Sequence, residues 1–496
     1  MIKTLLLVFL TAISLSSIAQ KVKDLPESKL EKSVLEKHLR IIASDAMMGR
    51  RTGEQGNNLA ARYIAEQFRA SGIKPTPDND DYFQYFSLQN VAPAKIASLS
   101  WGGKTFENGA EALLIHGKEN QEEGEAVFVG YGEEKDFKEK DVKDKIVVAQ
   151  FGIPNSQNPM EAFQASKGKR QLAEKLGAKA LIELYHLQLP WKSIVNYLNN
   201  TRMEMVSDEE ANAKLVHFWI NDESKALLAK INKEEDKHIS FETSGLIKSL
   251  VRTQNVVGMI EGADAALKDE FIILSAHYDH VGTASHAPGG TPEDSIFNGA
   301  RDNGMGVVGL IAAAKALGEK PPARSVLFIA FTGEEMGLLG SQYYSEHPLI
   351  PLNKCIFNLN IDGAGYNDTS LVSVIGLDRT GAKEEIEKGS EAFGLGVFGD
   401  PSPEQGLFDR SDNVNFAAKG IPAPTFSEGL KAFDAEIMKT YHQVTDEVDT
   451  MDFDYLLKFC QAYVYSARLI ANKKERPQWE AGDKYEKAAK ALYGGE

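Results

Sequence analysis

The chain is poor in cysteine. Among 496 residues only Cys355 and Cys460 occur, which excludes a small disulfide-stapled scaffold. Long apolar runs are also missing, save one at the start, so no segment after it has the roughly 20 apolar residues a spanning helix needs. Positive charge is in deficit: 55 Lys and Arg face 71 Asp and Glu, a net charge of −16. A surface of that sign argues against nucleic acid or an anionic membrane as partner. It does not argue against a small substrate, because a bound dication inverts the local field. The composition is otherwise that of a globular chain, long enough for more than one domain.

The one apolar run lies in MIKTLLLVFLTAISLSSIAQ, with Lys3, an apolar stretch from Leu5 to Leu15 and a small-x-small site, Ser17-Ile18-Ala19. It is shorter than a membrane span and reads as a cleaved export signal over residues 1–19. The expectation is therefore an exported protein, periplasmic or secreted, with no membrane span in the mature chain.

Residues 30 to 72 carry apolar residues at helical spacing, broken by the turn Gly49-Arg50-Arg51-Thr52-Gly53. From 93 to 245 the texture changes to short strand-like pieces, such as Glu125 to Gly130 and Lys145 to Ala149, with an amphipathic stretch near 166 to 178. After 250, apolar runs alternate with helical ones, the mark of βαβ units around a parallel sheet. The expected domains are 25–92 with 246–475 as one discontinuous unit, 93–245 as an insertion and 476–496 as a tail.

Three of the apolar runs end in chelating residues. Phe271-Ile272-Ile273-Leu274 leads to His277 and Asp279, Val326 to Phe331 leads to Glu334 and Glu335, and Ile356 to Ile361 leads to Asp362. In open α/β sheets ligands gather beyond the carboxyl ends of the strands. Singly, each residue has an ordinary explanation: a hydrogen-bonded histidine, a solvated glutamate pair, an Asp-Gly turn. Their coincidence at three strand ends is what points to a site. Asp302, before a helix starting near Met305, and His442, after Tyr441, complete the set; by themselves they would read as an N-cap and a surface residue.

His277, Asp302, Glu335, Asp362 and His442 together offer two imidazoles and three carboxylates. Nitrogen and oxygen donors of this kind suit Zn²⁺, with Mn²⁺ or Co²⁺ as alternatives. Five ligands exceed what one catalytic zinc uses and suit two ions sharing a carboxylate. Adjacent Glu334 and Glu335 then divide their work, one binding a cation and the other taking a proton from an attacking water. Asp279, two residues after His277, has the spacing of a carboxylate that orients the imidazole.

The motifs His-Tyr-Asp at 277–279, Gly-Ala-Arg-Asp-Asn at 299–303, Glu-Glu-Met-Gly-Leu-Leu-Gly-Ser at 334–341, Asn-Ile-Asp at 360–362, Ser-Asp at 411–412, Gly-Ile-Pro-Ala at 420–423 and Tyr-His at 441–442 resemble those of metallopeptidase clan MH, family 28. That family contains bacterial two-zinc aminopeptidases and glutamate carboxypeptidase. The resemblance implies a mixed, mostly parallel α/β sheet flanked by helices and a mainly-β protease-associated (PA) domain as the insertion. It implies two Zn²⁺: His277 and Asp362 on one, Glu335 and His442 on the other, Asp302 bridging. It makes Glu334 the general base and acid and Tyr441 a hydrogen-bond donor to the oxyanion. Arg301 and Asn413 depart from the commoner residues of relatives and bear on substrate preference. The expected activity is removal of the N-terminal residue of peptide substrates. The alternatives are a carboxypeptidase or dipeptidase of glutamate carboxypeptidase type, a one-zinc glutaminyl cyclase, and a non-catalytic receptor-like protein, the last disfavoured because all five ligand positions are filled.

Overall fold

A computed structural model describes residues 22–494 apart from 139, 207–213 and 234. The expected export signal lies outside the described residues. The chain divides into two compact units, one from residues up to Phe86 and from Arg252 onward, the other Ser87–Val251.

The first unit begins with helices α1 (Lys32–Ile42) and α2 (Gln55–Ala70). Its sheet contains β1 (Ile247–Ile260, whose second half lies in this unit), β2 (Phe271–His277), β3 (Ser325–Phe331), β4 (Cys355–Ile361), β5 (Leu371–Ile375), β6 (Gly396–Phe398) and β7 (Thr425–Ser427). They lie in the order β6-β5-β7-β4-β2-β3-β1. Neighbours β2 and β3, β2 and β4, β4 and β7, and β5 and β6 run parallel; β1 against β3 and β5 against β7 run antiparallel. The sheet is thus mixed and mostly parallel.

Every residue of β2, β3 and β4 is buried, which is why these strands read as continuous apolar runs instead of alternating ones. Their side chains still alternate. Ile272, Leu274, Val326 and Phe328 join the core containing α1, α2, α3 (Gly306–Glu319) and α4 (Phe453–Asn472), while Ile273, Leu327 and Ile329 join a second core on the opposite face. Each such side chain contributes about 1.5–3 kcal/mol on full burial. The sheet is therefore fixed from both sides, and so is its carboxyl edge.

Residues 476–494 also belong to this unit. Trp479 is buried in the second core and donates from Nε1 to the Gly420 carbonyl at 3.0 Å, and Tyr493 donates to the Cys355 carbonyl at 2.5 Å. The expected tail is thus held by apolar burial and carbonyl bonds. Cys355 and Cys460 are both buried and free. Among the described residues no helix is long and apolar enough to cross a membrane.

The second unit has an eight-stranded sheet. At its centre the strands Lys118–Phe128, Ile146–Gln150, Ala180–Tyr185 and Val216–Asn221 run parallel, and antiparallel strands extend it on both sides. The amphipathic stretch expected near 166 to 178 is the end of a helix spanning Pro159–Lys175, and a second helix covers Trp191–Leu198. The central strand Ala180–Tyr185 is buried throughout although it carries Glu183.

Candidate metal centre

Register brings the first pair together. Ala276 of β2 lies opposite Ile361 of β4, so the next residues, His277 and Asp362, emerge side by side at the carboxyl edge. His277 Nε2 is 3.2 Å from Asp362 Oδ1 and 3.4 Å from Asp302 Oδ1. On the other side of Asp302, its Oδ2 is 3.1 Å from His442 Nε2, which is also 3.2 Å from Glu335 Oε2. All five sequence-derived ligand candidates therefore converge, in two groups that share Asp302.

A sixth residue, His280, joins the second group, with Nδ1 2.7 Å from Glu335 Oε1. Sequence reasoning passed over it, although its signal was present: a third histidine-or-carboxylate position in His277-Tyr278-Asp279-His280.

Asp302 is placed by a loop with its own buried fastenings. The Asp446 carboxylate accepts from the backbone N–H of Arg301 and of Asp302, at 2.9 and 3.1 Å, and pairs with the Arg301 guanidinium at 3.0 Å. Arg301 also lies over the Tyr366 ring at 5.1 Å. Its work here is to hold a loop.

Arg50, fully buried, spans the same region. Its guanidinium donates to the carbonyls of Tyr278 (2.8 Å), Ile42 (2.9 Å), Asn298 (2.6 Å) and Gly299 (3.0 Å). Burial pulls it down to about 10 against the attraction of Asp302, Asp446, Asp279 and Glu335, so it stays charged at neutral pH.

Asp279 plays a part different from the expected one. His277 Nδ1 reaches the Asp279 backbone carbonyl at 3.2 Å, whereas the carboxylate is 3.8 Å away. That carboxylate instead accepts from Thr52 Oγ1 at 2.9 Å and from the backbone N–H groups of Glu334 and Glu335 at 3.2 and 3.3 Å. It fixes the glutamate pair by its backbone.

Glu334 and Tyr441 line one cavity with Asp302, Glu335, Asp362 and His442. Burial pushes the Glu334 carboxyl well up, and Asp362, Glu335 and Asp412 add to this against the opposing pull of His277. Glu335, by contrast, is pulled to about 2, the bonds to His280 and His442 outweighing burial and the repulsion of Asp302. The same two carboxylates lift His442 to about 10 against its burial. Tyr441 stacks on His442 with ring centroids 4.1 Å apart. Ile375, Leu407, Leu430 and Phe433 form an apolar wall of the cavity, and Arg410 also lines it.

The donor set tests well against a divalent cation. Each group mixes imidazole nitrogen with carboxylate oxygen, its ligand atoms lie within 4.8 Å of one another, and neither contains a lysine or arginine. Such sets fit Zn²⁺ or a neighbouring transition metal.

The profile of peptidase family M28 matches residues 255–466, the segment that contains every residue of both groups. Residues 255–466 thus have the sequence pattern of an M28 peptidase domain. The aminopeptidase YwaD of Bacillus subtilis is 26% identical over 295 residues, covering 54% of this chain and 60% of that protein. A vacuolar membrane protease of Saccharomyces cerevisiae is 26% identical over 229 residues, covering 44% of this chain and 21% of that protein. The chain thus spans less than two thirds of the length of these relatives. An aminopeptidase from Aneurinibacillus sp. strain AM-1 is similar in fold, with a TM-score of 0.56 at 19% identity over 92% of this chain and 96% of its own.

Proposed function

We propose that this chain is an exported zinc-dependent exopeptidase, and specifically an aminopeptidase. The observation that carries the reading is Asp302, shared by two groups of metal-ligating side chains beside a cavity that Glu334 also lines. His277, Asp302 and Asp362 would hold one ion, and Asp302, Glu335 and His442 the other.

Zinc held there supplies Lewis acidity toward a peptide carbonyl and acidifies an attacking water. The protein's own part is to position and move protons. Glu334, buried and crowded by carboxylates, has the high proton affinity of a group that accepts the water's proton and passes it to the leaving amine. The Tyr441 phenol, held in place by stacking on His442, donates to the oxygen on which negative charge develops. The apolar wall favours an uncharged first side chain. We read residues 87–251 as an inserted PA domain, consistent with their separation as a compact unit.

Purified protein assayed for metal and for cleavage of leucine p-nitroanilide and its N-acetyl form tests the reading. About two zinc ions per chain with cleavage of only the free amine supports it; Glu334→Gln should then retain metal and lose turnover. A variant as fast as wild type removes Glu334 from the chemistry. A second reading, dipeptidase or carboxypeptidase, is favoured by Arg410, a cation among the residues lining the cavity. Cleavage of N-acetylated dipeptides with no action on the anilide would select it.

A further inference from the structure

Resting on the reading of the two groups as a metal centre, the geometry points to a role for His280 that its neighbours impose. Its side chain is fully buried and its Nδ1 is 2.7 Å from Glu335 Oε1. The other ring nitrogen, Nε2, is buried with no hydrogen-bond partner among the described residues. A neutral imidazole has one N–H and one bare nitrogen. The carboxylate can only accept, so the proton belongs on Nδ1.

The ring has little freedom to leave this position. Gly299, at φ 55°, lies against its face: a Cβ there would stand 2.6 Å from His280 Cδ2 and 2.8 Å from Cγ. Only glycine accommodates both that backbone conformation and that approach. Arg50 in turn pins the Gly299 carbonyl at 3.0 Å and the Asn298 carbonyl at 2.6 Å. His280, Gly299 and Arg50 thus form a stack in which each layer fixes the next.

We propose that His280 is a positioning residue: by donating Nδ1–H to Glu335 Oε1 it reserves Glu335 Oε2, 3.2 Å from His442 Nε2, as the single oxygen this carboxylate offers to the ion shared with Asp302 and His442. At 3.9 Å from Asp302 Oδ2, Nδ1 is too far to hold the bridging residue directly. His280 acts through Glu335 alone.

The full-length variants His280→Asn, His280→Gln and His280→Ala separate donor position from bulk. The Asn amide N–H falls near the place of Nδ1, and that of Gln near Nε2. Zinc affinity is read by chelator competition, coordination by the visible spectrum of the Co²⁺ form, and folding by thermal unfolding of each metal-free protein. The expected result is that one of two ions binds about 10–100-fold more weakly in the Gln and Ala variants, the usual cost of losing a partner behind a ligand. The Asn variant should stay within about threefold of wild type and keep its Co²⁺ spectrum. Wild-type affinity in all three variants, or equal loss in Asn and Ala, overturns the inference. So does a Co²⁺ spectrum altered even in the Asn variant, which would make His280 a ligand itself. Wild-type protein that binds no zinc removes the metal reading and this inference with it, whereas two ions bound equally by every variant removes this inference alone.

Discussion

Lys169→Met in the second unit should open its central strands at a cost that can be worked from the contacts it removes. Lys169 Nζ donates to Glu183 Oε1 at 2.7 Å and to the carbonyls of Gln150 and Gly152 at 2.8 and 2.7 Å. The Lys and Glu side chains are 5% and 0% exposed. Glu183 Oε2 takes the remaining donors: His217 Nε2 at 3.0 Å, Trp219 Nε1 at 3.1 Å and the Ser166 hydroxyl. Burial pushes the Glu183 carboxyl up, but Lys169 and His217 outweigh it and hold it at about 2. Burial also drives His217 down, against the Glu183 bond, so it donates as a neutral ring and its Nδ1 has no partner among the described residues.

Methionine keeps the stem and removes the ammonium, leaving a buried carboxylate without its cation and two carbonyls without a donor. Removing one partner of a buried pair costs about 3–5 kcal/mol, which is roughly 10²–10³·⁵ in an opening equilibrium at 1.4 kcal/mol per decade. Hydrogen exchange in the whole protein reads this directly. Amide protection over Ile146–Gln150, Ala180–Tyr185 and Val216–Asn221 should fall by that factor, while Phe271–His277 and Ser325–Phe331 stay protected. Adding Glu183→Gln removes the stranded charge and should restore about 2 kcal/mol. A loss below about tenfold, or a double variant no better than the single one, would refute the claim that charge compensation holds this unit together.

The same network predicts the acid side of stability. Glu183 titrates lower in the fold than in an unfolded chain, near 4.3, so its contribution of about 3 kcal/mol is present above that pH and is lost as pH falls toward about 2; Glu183→Gln should flatten the exchange-versus-pH curve in that window. In the first unit, Arg50→Met strands the carbonyls of Ile42, Tyr278 and Asn298, that of Gly299 keeping the Gly304 N–H, and should cost about 3 kcal/mol in thermal unfolding, with Arg50→Lys recovering part of it through its own three donors. Gly363→Ala would put a Cβ 1.3 Å from Glu428 Oε2, so Asp362 or Glu428 must move; zinc affinity should fall at least about tenfold, and unchanged affinity would show that the backbone beside Asp362 yields freely.

What could be read from the sequence follows from what leaves a mark on it. Buried parallel strands leave runs such as Val326 to Phe331, and the residue after a run must emerge at the sheet edge, so His277, Glu335 and Asp362 were visible as a group. Asp302 and His442 were visible by their motifs. Arg50 and Asp446 were not, because their partners are main-chain groups or distant in sequence: Arg50 meets carbonyls up to 249 positions away. Glu183 was hidden for another reason. Within Ala180-Leu181-Ile182-Glu183-Leu184-Tyr185 a glutamate looks like an exposed position on one face of a strand, yet the residue that neutralises it lies on the preceding helix, and its hydrogen-bond donors come from that helix and the neighbouring strand.

The adjacent glutamates after β3 show how these two kinds of information combine. Their proximity in sequence suggests repulsion, and on a flexible turn it would make them swing apart. Here both backbone N–H groups are bound to the one Asp279 carboxylate, so the peptide plane between them cannot rotate freely, and the side chains diverge from a fixed base. Glu335 meets three fixed donors or carboxylate neighbours, His280, His442 and Asp302, and is stabilised as an anion; Glu334 meets His277 but also Asp362 and Asp412, and binds its proton tightly. Two identical side chains, one position apart, thus acquire opposite proton affinities from burial and from the different groups around each. This is the division that a ligand and a proton carrier require, and Asp279, itself held by Thr52, fixes the backbone from which the two side chains diverge.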